Sequence, residues 1–504
     1  MKKKVIIIGS GVGGLSIATR LLEKGFNVEV LEKNLSIGGK TNILKSGDFK
    51  FDLTASIPMF HEDFIDVFTF CKKDYRKYFT LLPLDPIYRC FFTDNSYYDF
   101  SNNLTHLSST INSITKNNIE NISGYYEFLN SNYKKYLIAN NNFLNRDLLK
   151  GISLLNPLTI SKVFKLNTTT SSTKNCRKYI SNHKLFNYLM FQTMYIGVSP
   201  YHCPSIYNSI PAVSQIQGLH YIKGGMYAYI KALEKLIKEK KGHISTLRNV
   251  DKILFHNNKA VGVMVNGNPI YSDIVICSSD YSFSINNLIK DIDIKGKKES
   301  IKEMNYSCSI FILYLALDKK YPILKVNNIF INDNFKKNIE APFKGCIPLE
   351  PSMYIYCPSS IDSSVCPKDY EEISILVRVP NLLSRKINWN EKTINNMKQT
   401  ILGNLSSIKS LEDIKNHIIY DNCLTPIDLR DKFNTFGGCA FGLSHSLDQS
   451  AIFRPQCTIP KVKNLYFTGS SIHPGNGVSM VLKSSKICCD KICKDFGLYK
   501  KNKC

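Results

Sequence analysis

Apolar and polar positions change their period several times along this chain, and the changes divide it into segments. Val5-Ile6-Ile7-Ile8 is a continuous apolar run of strand length, which with Lys4 predicts a buried strand over 4–8. A glycine-rich turn follows. From Leu15 to Lys24 the apolar residues Leu15, Ile17, Ala18, Leu21 and Leu22 lie largely on one helical face. Gly25 ends that helix, and Asn27 to Leu31 predicts a second strand. The three elements form the first half of a βαβ unit with short connections. From about Phe60 to Leu219 helical stretches rich in Lys, Asn, Tyr and Phe dominate and glycine-rich turns are sparse, which predicts an inserted helical domain. After Lys223-Gly224-Gly225 comes a helix over Met226 to Lys240. Short strands follow at Val250–Phe255, Ala260–Val265 and Ile274–Cys277, and stronger ones at Ser307–Leu317 and Ile373–Val379. Asn464 to Thr468 predicts a last strand, and Val478 to Cys493 a final helix. The first and last segments share one pattern and the middle another, so two lobes must interleave.

Composition changes this picture little. A chain of 504 residues exceeds what one core usually serves, and 43% hydrophobic with 21% charged residues is ordinary for a globular protein. The formal net charge of +24 comes with no block of five or more like charges, so it reads as biased composition and solubility rather than a nucleic-acid-binding arm. A basic surface would also suit anionic lipid. The 16 cysteines are scattered without a C-x-x-C pair, and no histidine stands beside Cys488, Cys489 and Cys493 to complete a zinc site. Reduced thiols in a cytosolic protein are expected. The apolar run after Met1-Lys2-Lys3-Lys4 stops at Gly9, short of the roughly 7–15 residues of a signal peptide. The run Ile310 to Leu317 is short of the roughly 20 residues that span a bilayer. Neither secretion nor a spanning helix is expected; attachment to a membrane surface stays open.

The chemistry is concentrated in Gly9-Ser10-Gly11-Val12-Gly13-Gly14, a G-x-G-x-x-G placed between strand and helix, with Glu32 at the end of the second strand, 21 residues after Gly11. Gly9 permits the tight turn, Gly11 lets the backbone approach a pyrophosphate, and Gly14 lets helix and strand pack closely. The helix start then offers free N–H groups and a positive dipole end to phosphates. Glu32 is placed to accept from ribose hydroxyls, and its charge opposes a 2′-phosphate, which argues against NADP.

Just past Glu32 stands Ile37-Gly38-Gly39-Lys40-Thr41, and near the other end Asn464-Leu465-Tyr466-Phe467-Thr468-Gly469 leads into His473-Pro474-Gly475-Asn476-Gly477-Val478. On these residues the chain resembles the amine-oxidase and carotenoid-desaturase group of flavoproteins, and most of all the phytoene and diapophytoene desaturases. Further blocks match in the family's order: Phe191 to Pro200, Leu219 to Met226, Tyr306 to Ser309, and Gly442-Leu443, Gln449 and Phe453-Arg454-Pro455. The resemblance implies FAD as cofactor and an α/β, two-dinucleotide-binding-domain (Rossmann-like) fold with an interleaved α+β substrate domain. The FAD-binding part would be 1–75, 221–300 and 430–504, and the substrate and membrane-associated part 76–220 and 301–429. Gly9, Ser10, Gly11, Val12, Gly13, Gly14, Glu32, Lys33, Gly39, Lys40, Val250, Gly469, Gly477 and Val478 would hold the cofactor. Several positions depart from the family: Lys40 stands where Arg is usual, Thr54-Ala55 where Gly-Pro follows Phe51-Asp52, Ser479 where Pro is frequent, and Ser484-Ser485 where Ser-Gly or Ser-Ala is frequent.

The implied reaction is desaturation of an acyclic carotenoid precursor, a lipophilic polyisoprenoid, by hydride transfer to flavin. A quinone or oxygen would reoxidise the flavin; no iron–sulfur or haem ligand set is evident. Such a substrate has no polar handle, which fits the lack of a hydrolase or metalloprotease signature, and no catalytic residue is assigned. His473 is a candidate proton acceptor or a structural hydrogen-bonding group. Lys223 reads as solvated. Tyr195, Tyr201, Tyr207, Tyr221 and Tyr227 are channel or core. The segment Leu148 to Leu166 is a candidate for contact with a membrane, placing the protein in the cytoplasm, peripheral on the inner face. Rival readings on the same fold are a carotenoid isomerase, a terminal oxygenase, and a non-catalytic prenyl-binding protein of the GDP-dissociation-inhibitor type.

Overall fold

The computed structural model describes residues 2–54, 56–148, 166 and 169–498. Lys4–Ile8 lies at the centre of a five-stranded parallel sheet in the order Leu465–Phe467, Ile274–Cys277, Lys4–Ile8, Asn27–Leu31, His243–Ser245. A parallel strand covered on both faces must be apolar on both, which is why Val5 to Ile8 is unbroken by polar residues. The first helix (Val12–Glu23), the helix Met226–Glu239 and the C-terminal helix (Val478–Asp495) share one core with this sheet. The last of these packs directly on the first, where Ser16 Oγ and Ser485 Oγ meet at 2.7 Å. Two ends of the chain thus build one nucleotide-binding layer.

A second, seven-stranded sheet runs 418–424, 309–317, 371–379, 353–356, 327–331, 88–92, 97–100, antiparallel except where 327–331 pairs with 88–92. Every residue of Ser309–Leu317 is buried. This sheet corrects the expectation of an inserted helical domain from about 60 to 219, since Tyr88–Phe92 and Tyr97–Phe100 are strands within it. Tyr88-Arg89-Cys90-Phe91-Phe92 is buried on both faces and shows no alternation, and periodicity cannot separate such a run from buried helix. The helices around it start on asparagines: the side chains of Asn103, Asn118, Asn182 and Asn390 accept from N–H groups of the first turn. The Asn-rich composition therefore has a local structural use.

One residue of the second sheet is energetically out of place. Glu372 is fully buried, its Oε2 has no partner, and burial together with Asp52 holds its carboxyl well above the ordinary range. A carboxyl raised in the folded state binds its proton more tightly than in the unfolded chain. Its contribution is therefore favourable at low pH and is lost as pH rises above the unfolded value. Glu372→Gln should raise the melting temperature at neutral pH and flatten its fall between pH 5 and 8, read by thermal denaturation across that range.

Candidate active site

The first turn of the helix Val12–Glu23 begins at Gly11, with no side chain capping it. Its free N–H groups open on a cleft at the C-terminal ends of four parallel strands. The cleft is lined by Gly9, Gly11 and Gly13, by Glu32, and by Ser278, Ser279 and Asp280 beyond Ile274–Cys277. A Cβ on Gly14 would come within 2.1 Å of the Gly9 carbonyl oxygen, so this glycine serves helix–strand packing and does not face the cleft. A Cβ on Gly11 would meet nothing within 4 Å. That emptiness lies at the helix start, where a pyrophosphate would approach. Gly39 closes the other side, with Gly38 bridged to Gly11 and its N–H donating to the Ser10 carbonyl at 3.0 Å.

Glu32 is nearly buried. Its Oε2 accepts from Ser10 N at 2.9 Å and Ser10 Oγ at 2.7 Å, and its Oε1 accepts from Asn34 N at 2.9 Å. Ser10 therefore acts on the cleft through Glu32 and does not line it. A carboxylate accepts about four hydrogen bonds, so capacity remains for a ribose hydroxyl. Lys33 lines the cleft and is tethered to Asn434 Oδ1 at 2.8 Å; burial lowers its pKa. Val250 also lines it. Lys40 donates to the Ala440 carbonyl at 2.7 Å, its pKa lowered by burial against the opposing charge of Asp280. These groups suit a dinucleotide: a free helix start, a carboxylate for ribose, and glycines where a ligand backbone would pass.

Val12, Lys40, Thr41, Ser470 and Val481 line both this cleft and a second cavity of about 860 Å³, so the two are continuous. Gly469 lines the cleft; Gly477 and Val478, at the start of the C-terminal helix, line the cavity. Cβ atoms on Gly469 and Gly477 would also meet nothing within 4 Å. The cavity wall is mainly aliphatic and aromatic, and no Asp or Glu lines it among the described residues. Tyr195 and Tyr207 line it, whereas Tyr221 is core and Tyr201 and Tyr227 pack at core margins.

Several sequence motifs are structural supports. Lys223 is exposed; Gly224 N and Tyr221 Oη donate to Asp362, while Met226 N donates to Asp52 at 3.0 Å and so caps its helix. A Cβ on Gly225 would lie 2.7 Å from Asp52 Oδ1. The Gln449 side chain pairs with both the N–H and the carbonyl of Asn305. His473 Nε2 lies 3.1 Å from the Phe143 carbonyl, to which it donates, while Nδ1 is buried without a partner. Burial holds the imidazole at about 4; it is the commitment of Nε2 to the Phe143 carbonyl, with Nδ1 enclosed, that favours the structural role.

The departures from the family are accommodated locally. Thr54 Oγ1 donates to the Lys40 carbonyl at 2.8 Å, Ser479 Oγ to the Met59 carbonyl, and Thr468 Oγ1 to Ser484 Oγ at 3.3 Å. Ser485 Oγ receives Ser16 and donates to the Leu482 carbonyl. Ala55 lies outside the described residues. Sequence reading missed Ser278-Ser279-Asp280 and Arg248-Asn249, which line the cleft. The available signal was position: ligands sit beyond the carboxyl ends of parallel strands, and Ile274–Cys277 was recognisable as one.

Comparison with known proteins places this geometry. The model of the family described as flavin containing amine oxidoreductase matches residues 12–493. The 4,4'-diapophytoene desaturase (4,4'-diaponeurosporene-forming) of Staphylococcus haemolyticus (strain JCSC1435) is 34% identical over 497 residues, covering 97% of this chain and 99% of that protein. The protein of the same description from Staphylococcus aureus (strain Newman) is 34% identical over 499 residues, covering 98% and 99%. An oxidoreductase from Methanosarcina mazei superposes with a TM-score of 0.66 at 14% identity, over 97% of this chain and 100% of that one. Putrescine oxidase bound to putrescine gives 0.63 at 11%, over 99% of each. The Rab GDI of Plasmodium falciparum gives 0.56 at 12%, over 96% and 97%. At these identities the three structures establish the shared fold.

Proposed function

The chain belongs to the flavin containing amine oxidoreductase family, in its carotenoid-desaturase branch, and from that premise we propose that it is an FAD-dependent desaturase of a diapophytoene-type polyene. The observation that carries this reading beyond the family is the cavity. It adjoins the nucleotide cleft, is mainly apolar, and has no carboxylate on its wall among the described residues, while Lys40 and Arg378 are on it. An amine cation entering there would find no counter-charge and two like charges. A hydrocarbon chain would find the surface it needs.

FAD supplies the hydride acceptor; the chain's residues hold and orient the reactants. In this reading Gly11 and the first turn of Val12–Glu23, with Ser10, Gly13 and Gly14 shaping the loop, receive the pyrophosphate. Glu32 takes ribose hydroxyls, with Lys33 and Val250 beside it. Gly39, Lys40, Gly469, Gly477 and Val478 would hold the flavin end, and the positive end of the C-terminal helix would favour added negative charge there. In this reading the described parts of 1–75, 221–300 and 430–504 would hold FAD, and those of 76–220 and 301–429 would shape the substrate space together with Met59, Phe60, His445, Ile452 and Phe453 from the FAD-binding part. Loss of a hydride beside a double bond leaves a delocalised allylic cation, whose neighbouring proton is then readily removed. A quinone or oxygen completes the cycle. The dinucleotide cradle is kept whole, which favours catalysis over prenyl binding alone, and the full-length desaturase relatives favour net oxidation over isomerisation or terminal oxygenation. The test is co-expression with a diapophytoene synthase: the expected extract absorbs in the visible as a longer conjugated polyene, and unchanged diapophytoene would overturn the reading.

A substrate of this kind resides in a bilayer, and no helix among the described residues is long and apolar enough to cross one. We propose, from the bilayer-resident substrate, a peripheral attachment to the cytoplasmic face. The sequence candidate for contact, 148–166, lies outside the described residues except for Leu148 and Leu166, both of which line the cavity. Leu447, Ile452 and Phe453 are exposed by 44%, 38% and 65% and also line it, so the cavity reaches the surface among apolar side chains. The double substitution Ile452→Asp, Phe453→Asp should cut co-sedimentation with anionic vesicles several-fold, leaving flavin content unchanged. Undiminished sedimentation would remove this rim from the contact.

A further inference from the structure

Desaturation removes a proton as well as a hydride, and among the described residues no carboxylate lines the cavity to take it. Among the described lining residues, His445 and His473 are the two imidazoles. His473 donates through Nε2 and buries its Nδ1 out of reach. His445 is differently set. Its Nδ1 lies 2.9 Å from Tyr207 Oη and its Nε2 is hydrogen-bonded to Asn476 Oδ1, and all three residues line the cavity.

The surrounding bonds fix the direction of each hydrogen. Asn476 Nδ2 lies 3.5 Å from the Tyr195 carbonyl, which turns Oδ1 to the imidazole and assigns the hydrogen to Nε2. Nδ1 then holds a lone pair and accepts from the Tyr207 hydroxyl. Ser450 Oγ, 3.3 Å from the same hydroxyl, spends its own hydrogen on the Ser446 carbonyl at 2.7 Å. With this hydrogen assignment the phenolic oxygen of Tyr207, a residue of the cavity wall, keeps a lone pair and has a base behind it. Gly475 is the reason the ring fits: a Cβ there would lie 2.3 Å from His445 Cε1. Asn476 directly precedes Gly477, so the relay ends beside the flavin-flanking turn. The other tyrosines on the wall lack this arrangement: Tyr354 donates to Asn327 Oδ1, the Tyr136 hydroxyl lies against Gln217, and Tyr195 Oη is buried without a partner.

Resting on the desaturase reading, we propose that Tyr207 takes the proton the substrate loses, with His445, oriented by Asn476, receiving Tyr207's own proton in the same event. The C–H bond beside the allylic cation breaks and its electron pair becomes the new π bond. The proton bonds to Tyr207 Oη, and the phenolic hydrogen passes to Nδ1. In total the CH2–CH2 unit gives one hydride to the flavin and one proton to the relay. A quinone or oxygen, taking up a hydride equivalent and that proton, restores both. Burial and the neighbouring Arg454 hold His445 well below the usual imidazole range, which keeps its lone pair free; a proton beside a carbocation is acidic enough for so weak a base. Tyr207 is thus the catalytic residue, and His445 and Asn476 position it and carry charge.

The experiment compares wild type, Tyr207→Phe and His445→Gln as FAD-loaded proteins with diapophytoene deuterated at either carbon of the reacting pair. Wild-type turnover tests the desaturase reading itself. For Tyr207→Phe, with flavin content and melting unchanged, turnover should fall on the order of 100-fold, the isotope effect at the proton-losing carbon should rise, and misplaced double bonds should appear. Histidine 15N NMR of the wild-type holoprotein supplies a readout independent of turnover: His445, identified by its loss in His445→Gln, should show the Nε2–H tautomer with a hydrogen-bonded Nδ1 that changes in Tyr207→Phe. Wild-type rate, product and isotope effect in a folded Tyr207→Phe, or an Nδ1–H tautomer, would overturn the relay while leaving the desaturase reading standing.

Discussion

Replacing Gly11 with alanine should give a folded protein that no longer retains FAD, whereas replacing Gly14 should damage the fold. Both belong to one glycine motif, and the structure separates their tasks. Gly11 has φ −63° and ψ 172°, angles alanine adopts freely, and its added methyl meets no protein atom within 4 Å. The apoprotein should therefore change stability by no more than about 0.5 kcal/mol. The methyl would stand where the pyrophosphate needs to approach the helix start. FAD affinity should fall by on the order of 100-fold or more, equivalent to about 3 kcal/mol. Gly14 differs because its methyl would lie 2.1 Å from the Gly9 carbonyl oxygen and 3.2 Å from Ser278 Cβ, and backbone cannot rotate away as a side chain can. The helix would have to leave the sheet, at a cost of about 3 kcal/mol or more. Flavin absorbance after gel filtration and melting of the apoproteins measure both effects. Equal melting of the two variants would contradict the separation.

The second large effect is expected at Arg454, which is 1% exposed. Its Nη1 donates to the Ser444 and Gln449 carbonyls at 3.2 and 3.4 Å, and its Nη2 to the Leu443 and Ser470 carbonyls at 3.2 and 2.8 Å. One guanidinium thus ties the 443–449 loop to the turn carrying Gly469 and Ser470, both of which line the nucleotide cleft. Arg454→Met fills similar volume but leaves those carbonyls without their donor. Charge-assisted bonds of this kind are worth about 1.5–3 kcal/mol each before non-additivity. A loss of about 3–5 kcal/mol with partial loss of FAD is expected, seen as a lower denaturant midpoint and lower flavin occupancy. Lysine should rescue poorly, because one ammonium cannot span four carbonyls in a plane. A midpoint unchanged in Arg454→Met would show that the loop is held by other contacts.

How much of this was legible in the chain depends on whether a residue's task is local. Gly9, Gly11, Gly14 and Glu32 act within one strand–turn–helix–strand unit, so their spacing alone announces a nucleotide. Arg454 stood in a matched block, yet its four acceptors come from two loops that only the fold brings together. Tyr207, His445 and Asn476 are far apart in sequence, and no spacing joins them. Asp280 and its serines carry no motif, but their place after a parallel strand was a usable sign. Tyr88 to Phe92 misled because burial on both faces removes alternation. The departures at Thr54, Ser479, Ser484 and Ser485 stand out only against the family pattern, and in the fold each hydroxyl finds a nearby partner.

The most direct test of the account is an anaerobic titration of the purified, FAD-loaded protein with diapophytoene in liposomes, followed at the flavin absorption band near the visible edge. The account predicts that the band bleaches as substrate is added and that polyene bands of the desaturated product grow in step, one two-electron reduction for each new double bond. A flavin that stays oxidised while the protein binds the polyene would contradict desaturation and leave a lipid-binding flavoprotein.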